Sequence, residues 1–436
     1  MKIYKSLVFA YLHVLLVYPF AAIFGVDLQG LIRDPILHIR YIDILIFASL
    51  LYIFINTILV SQISLFKRIT KLQCLIILFI CFDAYLLFST YGVAPADLQL
   101  SWFLATSILM IIYDLSRKEI GFEIFDFIFI IVRVGALISI IVFFTQMFGL
   151  SEGFAEDVNG RVTLSVLGQK ETISYNSLNP VLLVFGLIGL QLNKSLIDKI
   201  LFILGIATVI GSLTISFHRG GLTQVIIIFL FFFFGGRSQR SVGLRILAGV
   251  FIVIFSLKVA KLFLESYGYD PVQELFKTID FAFQYQEAGW SKGRAYVQTQ
   301  ILYLWSQKPW LGWGYDVTEK YVQGSSAHNF IITSLFHRGI VGTSFLIVIF
   351  CICYYQTIKL YKISNFFAAD EKLLLRGMVL VVWLWIIPAI TQEVLWERYT
   401  TSVQYFYFGI IFSLYNYCNK LVQNLLVSYP SSANLS

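Results

Sequence analysis

Few residues in this chain suit chemistry at neutral pH, and most of them lie in a handful of short stretches. The clearest is SSAHNFIITSLFHRGIVG, Ser325 to Gly342, in which His328 and Asn329 precede an apolar run holding His337 and Arg338. An unperturbed histidine titrates near ~6.5, so His328 suits the role of general base toward a hydroxyl. Asn329 can orient that ring or bond a substrate hydroxyl. His337 and Arg338 lie nine and ten residues beyond His328, roughly 14 Å along a continuous helix. They cannot share an atom with His328 unless the chain breaks, and Gly339 and Gly342 permit a bend. The bland reading of His328 is a hydrogen-bonded interfacial side chain.

Three stretches upstream carry related possibilities. Arg219 in TISFHRGGL follows an apolar run and precedes two glycines, which would let a bulky anion approach the backbone; the alternative is a snorkelling arginine at a turn. Arg294 in SKGRAYVQTQ opens a stretch whose apolar Ile301, Leu302, Leu304 and Trp305 suit an amphipathic helix over 298–307. KPWLGWGYD, Lys308 to Asp316, joins a proline, two glycines, Trp310 and Trp313. It reads as an interfacial turn or as a flat aromatic surface that stacks on sugar rings. Asp83 and Arg133 sit within apolar runs, where a charge is costly unless paired or functional, and they are possible partners of each other.

The elements that would hold these residues follow from composition. The 436 residues are 58% hydrophobic and only 13% charged, about half the charge of a soluble domain, with forty-one phenylalanines. Apolar runs long enough to cross a bilayer recur near 6–26, 42–61, 74–92, 98–114, 124–149, 177–193, 199–217, 222–235, 243–263, 340–357, 374–392 and 403–419. The expectation is an all-α polytopic membrane protein of about twelve spans. A first span that is retained fits better than a removed signal peptide, because no small-residue cleavage site follows it.

Under this count the basic clusters fall on one side, among them Lys67, Arg68 and Lys71, Lys194 and Lys199, Arg237 to Arg245, and Lys359 to Arg376. That side is expected to be the cytoplasm, with both termini there. The net charge of +7 is therefore a topology signal, and no nucleic-acid partner is called for. The chain divides into nine spans over 1–263, a large external loop with an amphipathic helix over 264–339, three spans over 340–423 and a tail over 424–436. Four of the eight tryptophans, Trp290, Trp305, Trp310 and Trp313, lie in that loop. The five cysteines show no CxxC or Cys/His spacing, so neither a disulfide nor a metal is expected.

The order of these motifs resembles the O-antigen ligase and Wzy-type O-antigen polymerase family. The resembling elements are Gly293-Arg294, KPWLGWG, then AHNFIITSLFHRGIVG, with HRGG at Arg219 and NGRVTL at Arg161 standing for arginines of earlier external segments. They span about 161–342, and the rest agrees in topology alone. The departures are Phe217-His218 where a serine often precedes the arginine, and LGQKETISYNSLNP where the family carries a GxFxNPN pattern.

The resemblance implies a GT-C-type glycosyltransferase architecture and a donor glycan on undecaprenyl diphosphate. It implies His328, Arg294 and Arg219 as catalytic, and Arg161, Asn329, Arg338, Trp310 and Trp313 as substrate-binding. His328 would take the acceptor's proton, while bidentate guanidinium groups would neutralise the diphosphate without a metal or other cofactor. The acceptor would be a growing glycan in a polymerase, the leading reading, or lipid A-core in a ligase. A chain-length regulator is a further expected partner, and the inner membrane the expected location. A lipid-linked glycan transporter is the rival class; it would need polar groups near the bilayer midplane and often repeat symmetry.

Overall fold

The computed structural model describes residues 71–91, 121–147, 155–156, 162–163, 172–192, 195–215, 219–234, 258, 290–314, 329–386 and 398–428. The runs at 6–26, 42–61 and 98–114, and that at 243–263 apart from residue 258, lie outside these residues. The described elements are α1 (Lys71–Tyr91), α2 (Glu123–Met147), β1 (Ala155–Glu156), β2 (Val162–Thr163), α3 (Thr172–Gln191), α4 (Leu196–Ile215), α5 (Arg219–Phe234), α6 (Trp290–Gln307), α7 (Phe330–Ile363), α8 (Ala369–Leu384) and α9 (Arg398–Ser428). The chain is helical as expected, apart from the two-residue antiparallel pair β1–β2, which the sequence did not announce.

Among the described helices, α2, α3 and α4 alternate in direction. Phe125 and Phe129 pack on Phe185, and a Cβ on Gly135 would touch Leu182, so α2 and α3 are antiparallel. Arg133 meets Asp198, Gly205 faces Ala136, Ser139 bonds Thr208 at 3.0 Å, and Gly211 faces Phe143. Both helices ascend through these contacts together, so α2 and α4 are parallel, with α3 packed against both. Small residues at the crossings let the backbones approach closely, as helix association in lipid favours.

One end of the bundle gathers the start of α2, the α7–α8 turn and α9. Phe122 packs on Phe367 at 5.6 Å and on Tyr417 at 6.1 Å between ring centroids.

Two described segments, Glu123–Ile141 and Phe330–Phe366, are long and apolar enough to cross a membrane. The second is not straight. Gly339 breaks α7 with φ 63° and ψ −168°. The Phe330 and Phe350 rings lie 5.5 Å apart, whereas twenty residues of straight helix would separate them by about 30 Å. Thr343 Oγ1 bonds Ser334 Oγ at 3.1 Å across the same fold. Thus α7 is a helical hairpin, with a short arm over 330–338 folded back along a long arm over 340–363. The long arm spans about 36 Å, enough to cross a bilayer alone. The bend falls at Gly339; Gly342 remains helical and packs its bare face on Phe82.

Candidate functional site

The hairpin apex is completed by the KPWLGWG turn. In a straight helix the amides of Ile340 and Val341 would bond the carbonyls of Phe336 and His337. Here Ile340 N donates to Pro309 O at 2.8 Å and Val341 N to Trp310 O at 3.2 Å. The released carbonyls are taken up in return: Trp313 N donates to Phe336 O at 2.8 Å and Gly314 N to His337 O at 3.0 Å. All four backbone groups are satisfied by exchange, so the bend leaves none of them orphaned.

That exchange needs glycine on both sides. Gly312, Gly314 and Gly339 all have positive φ. A Cβ on Gly312 would lie 2.6 Å from both Gly339 N and Phe336 O, and one on Gly339 would collide with Trp310 O. The two sequence motifs are therefore halves of one structural unit.

The amphipathic helix foreseen over 298–307 is the second half of α6, which begins earlier, at Trp290. Its buried stripe, Val297 and Ile301 with Leu304, packs with Ile332, Phe336 and Trp313. Leu302 is exposed instead, and Trp305 Nε1 bonds Pro309 O at 3.2 Å. Position 294 lies on α6 one turn before Val297, in register with 297, 301 and 304.

The two tryptophans of the turn separate in role. Trp313 is half-buried, its Nε1 bonded to Leu304 O at 2.6 Å and one ring face covered by Lys308 Nζ at 4.2 Å. Trp310 is 66% exposed, on a backbone pinned by the apex.

Asn329 is the N-cap of the short arm, its Oδ1 accepting from Ile331 N at 3.0 Å and Ile332 N at 3.2 Å. The fold-back sets it next to a core residue, since Phe330 is buried among the aromatics that include Phe350 and Phe408. A relay of contacts leads from there to α5. Phe330 touches Phe350; one turn on, Tyr354 packs on Trp383; and Leu384 O accepts from Gln224 Nε2 at 3.0 Å, five residues after position 219. The starts of α5 and of the short arm are thus structurally linked. His328 and Arg161 lie outside the described residues.

Arg338 precedes the bend and forms a two-point ion pair with Asp83 of α1, Nε to Oδ1 at 2.7 Å and Nη2 to Oδ2 at 3.2 Å, both residues buried. The possible pairing of Asp83 with Arg133 is therefore corrected: Arg133 binds Asp198 through Nε at 2.7 Å and Nη2 at 3.1 Å. The two in-span charges each found a partner on a helix distant in sequence, the outcome that an apolar surrounding demands.

Apolar helices of crossing length, packed through small residues around ion-paired interior charges, mark a helical membrane protein. Residues 203–347, about a third of the chain, match the family described as O-antigen ligase. The match runs from α4 into the long arm of α7 and takes in Arg219, Arg294, the turn and the hairpin; Asp83 and Arg161 fall outside it. Members of this family are glycosyltransferase-like enzymes that work on glycans in a membrane. A search of curated proteins returned no match.

Proposed function

We propose that the protein is a polymerase of O-antigen or a related surface polysaccharide. It transfers an undecaprenyl-diphosphate-linked glycan to a sugar hydroxyl at the periplasmic face of the inner membrane, within a twelve-span GT-C-type architecture. His328 removes the acceptor proton while the hydroxyl oxygen attacks the anomeric carbon, and the diphosphate departs onto Arg219 and Arg294. Arg161 supplements those cations, Asn329 sets the acceptor end and Trp310 offers a ring face to a sugar. Both termini face the cytoplasm, and 264–339 forms the external module.

The observation that supports this reading is the merger of the family-matched motifs into one unit. The turn completes the hairpin, α6 lies along the short arm, and the relay through Phe350, Tyr354 and Leu384 ties that arm to the start of α5. A transferase needs such convergence, because binding energy lowers a barrier only when the reacting groups are held in mutual geometry.

A ligase is the second reading, favoured by the description of the matched family. Donor and leaving group are common to both, so the acceptor decides. In a strain lacking the gene, lipid A-core capped with a single repeat supports the polymerase. Uncapped core with lipid-linked polymer accumulating supports the ligase and overturns the first reading.

A further inference from the structure

We infer that Asp83, in the part of the chain outside the family match, is a positioning residue for the transfer site. It acts through Arg338 to hold the hairpin apex of α7 against α1, and so fixes where the short arm presents Asn329. This inference rests on the polysaccharide-transfer reading.

Three observations carry it. The pair is short, two-pointed and buried, with side chains 4% and 3% exposed, so its guanidinium plane has one orientation relative to α1. Arg338 immediately precedes Gly339, the break itself, so an anchor there sets the direction in which the short arm leaves the apex. The surroundings reinforce that anchor: the Arg338 guanidinium stacks over the Phe79 ring at 5.6 Å, and Gly342 would clash with Phe82 if it carried a Cβ. The backbone exchange with the turn ties the apex to α6, and Asp83 ties it to the membrane helices. The Ser334–Thr343 bond and the Phe330–Phe350 contact hold the short arm to the long arm, and the Asp83 pair adds the charged tie of the apex to α1. Arg338 accordingly serves Asp83 rather than a substrate phosphate.

The test uses charge-preserving variants of the full chain in native membranes, with the lipid-linked repeat extracted from the host as donor and turnover expressed per folded molecule. Asp83→Glu and Arg338→Lys each shift the pair by an ångström or so, and a displacement of that size costs ~10–100-fold in rate at a preorganised site. Both variants are expected to lower kcat by at least ten-fold with donor KM unchanged. The combination Asp83→Glu with Arg338→Lys, a longer acid facing a shorter cation, is expected to regain part of the turnover.

Wild-type kcat in both single variants overturns the inference. So does a raised donor KM confined to Arg338→Lys, which would make Arg338 a substrate contact. If a single variant is lost from the membrane, the combination is read: abundance and turnover regained together support positioning, and abundance without turnover overturns it. A wild-type chain that restores no polysaccharide sinks the transfer reading instead, and that is seen before any variant is compared.

Discussion

Gly312 and Gly339 meet backbone to backbone: a Cβ added to Gly312 would lie 2.6 Å from Gly339 N, and one added to Gly339 would lie 2.6 Å from Gly312 N. The two residues are twenty-seven positions apart in the chain, yet each occupies the space that the other's side chain would need. The close approach allows the turn over 308–314 to satisfy the four backbone groups freed by the two helical hydrogen bonds that α7 gives up at its bend.

Gly312→Ala and Gly339→Ala should each destabilise the protein by about 1–3 kcal/mol from the positive-φ backbone, with the contact adding to that. Thermal melting of the detergent-solubilised protein checks this. Since both variants break one contact, the double variant should lose less than the sum. Full additivity would mean that the turn and the bend are independent.

Asn329→Ala should cost about 1 kcal/mol through loss of the cap. Asn329→Asp retains an acceptor for Ile331 N and Ile332 N and should restore the melting midpoint. It lacks the amide donor, so turnover should stay low even where stability returns. Full turnover in the aspartate variant would reduce Asn329 to a cap.

The tryptophans of the turn should respond differently. Trp313→Phe removes the Nε1 bond to Leu304 O and should destabilise by about 1 kcal/mol. Trp310→Ala, at an exposed position, should leave the melting midpoint within about 0.5 kcal/mol. It should nonetheless raise KM for the glycan several-fold, and an unchanged KM would return Trp310 to the role of an interfacial anchor.

Much of this arrangement was legible in the residues. The apolar runs near 74–92, 124–149, 177–193, 199–217, 222–235, 340–357, 374–392 and 403–419 each coincide with part of a described helix, because apolar length is a local property. The bend that Gly339 permits was visible. Two features were not, and both are relations between distant segments. Nothing near Asp83 signals that its partner lies 255 residues away, whereas Arg133, another charge within an apolar run, is the partner that hydropathy alone suggests. Likewise the bare pattern AHNFIITSLFHRGIVG reads as the entrance to one span. Only the exchange with Pro309 and Trp310 turns it into a hairpin, and carries Phe330 back to Phe350.

In the proposed transfer, arginines at 219 and 294 take the diphosphate while His328 takes the proton. The most direct measurement is the surface-polysaccharide ladder of a gene-deleted strain complemented with Arg219→Ala, Arg219→Lys, Arg294→Ala, Arg294→Lys or His328→Ala at matched membrane abundance. All five are expected to lose the long-chain ladder, with transfer lowered by ~10²–10³-fold, the lysine variants failing because a point charge cannot replace a bidentate fork. Normal ladders in the three alanine variants would contradict it.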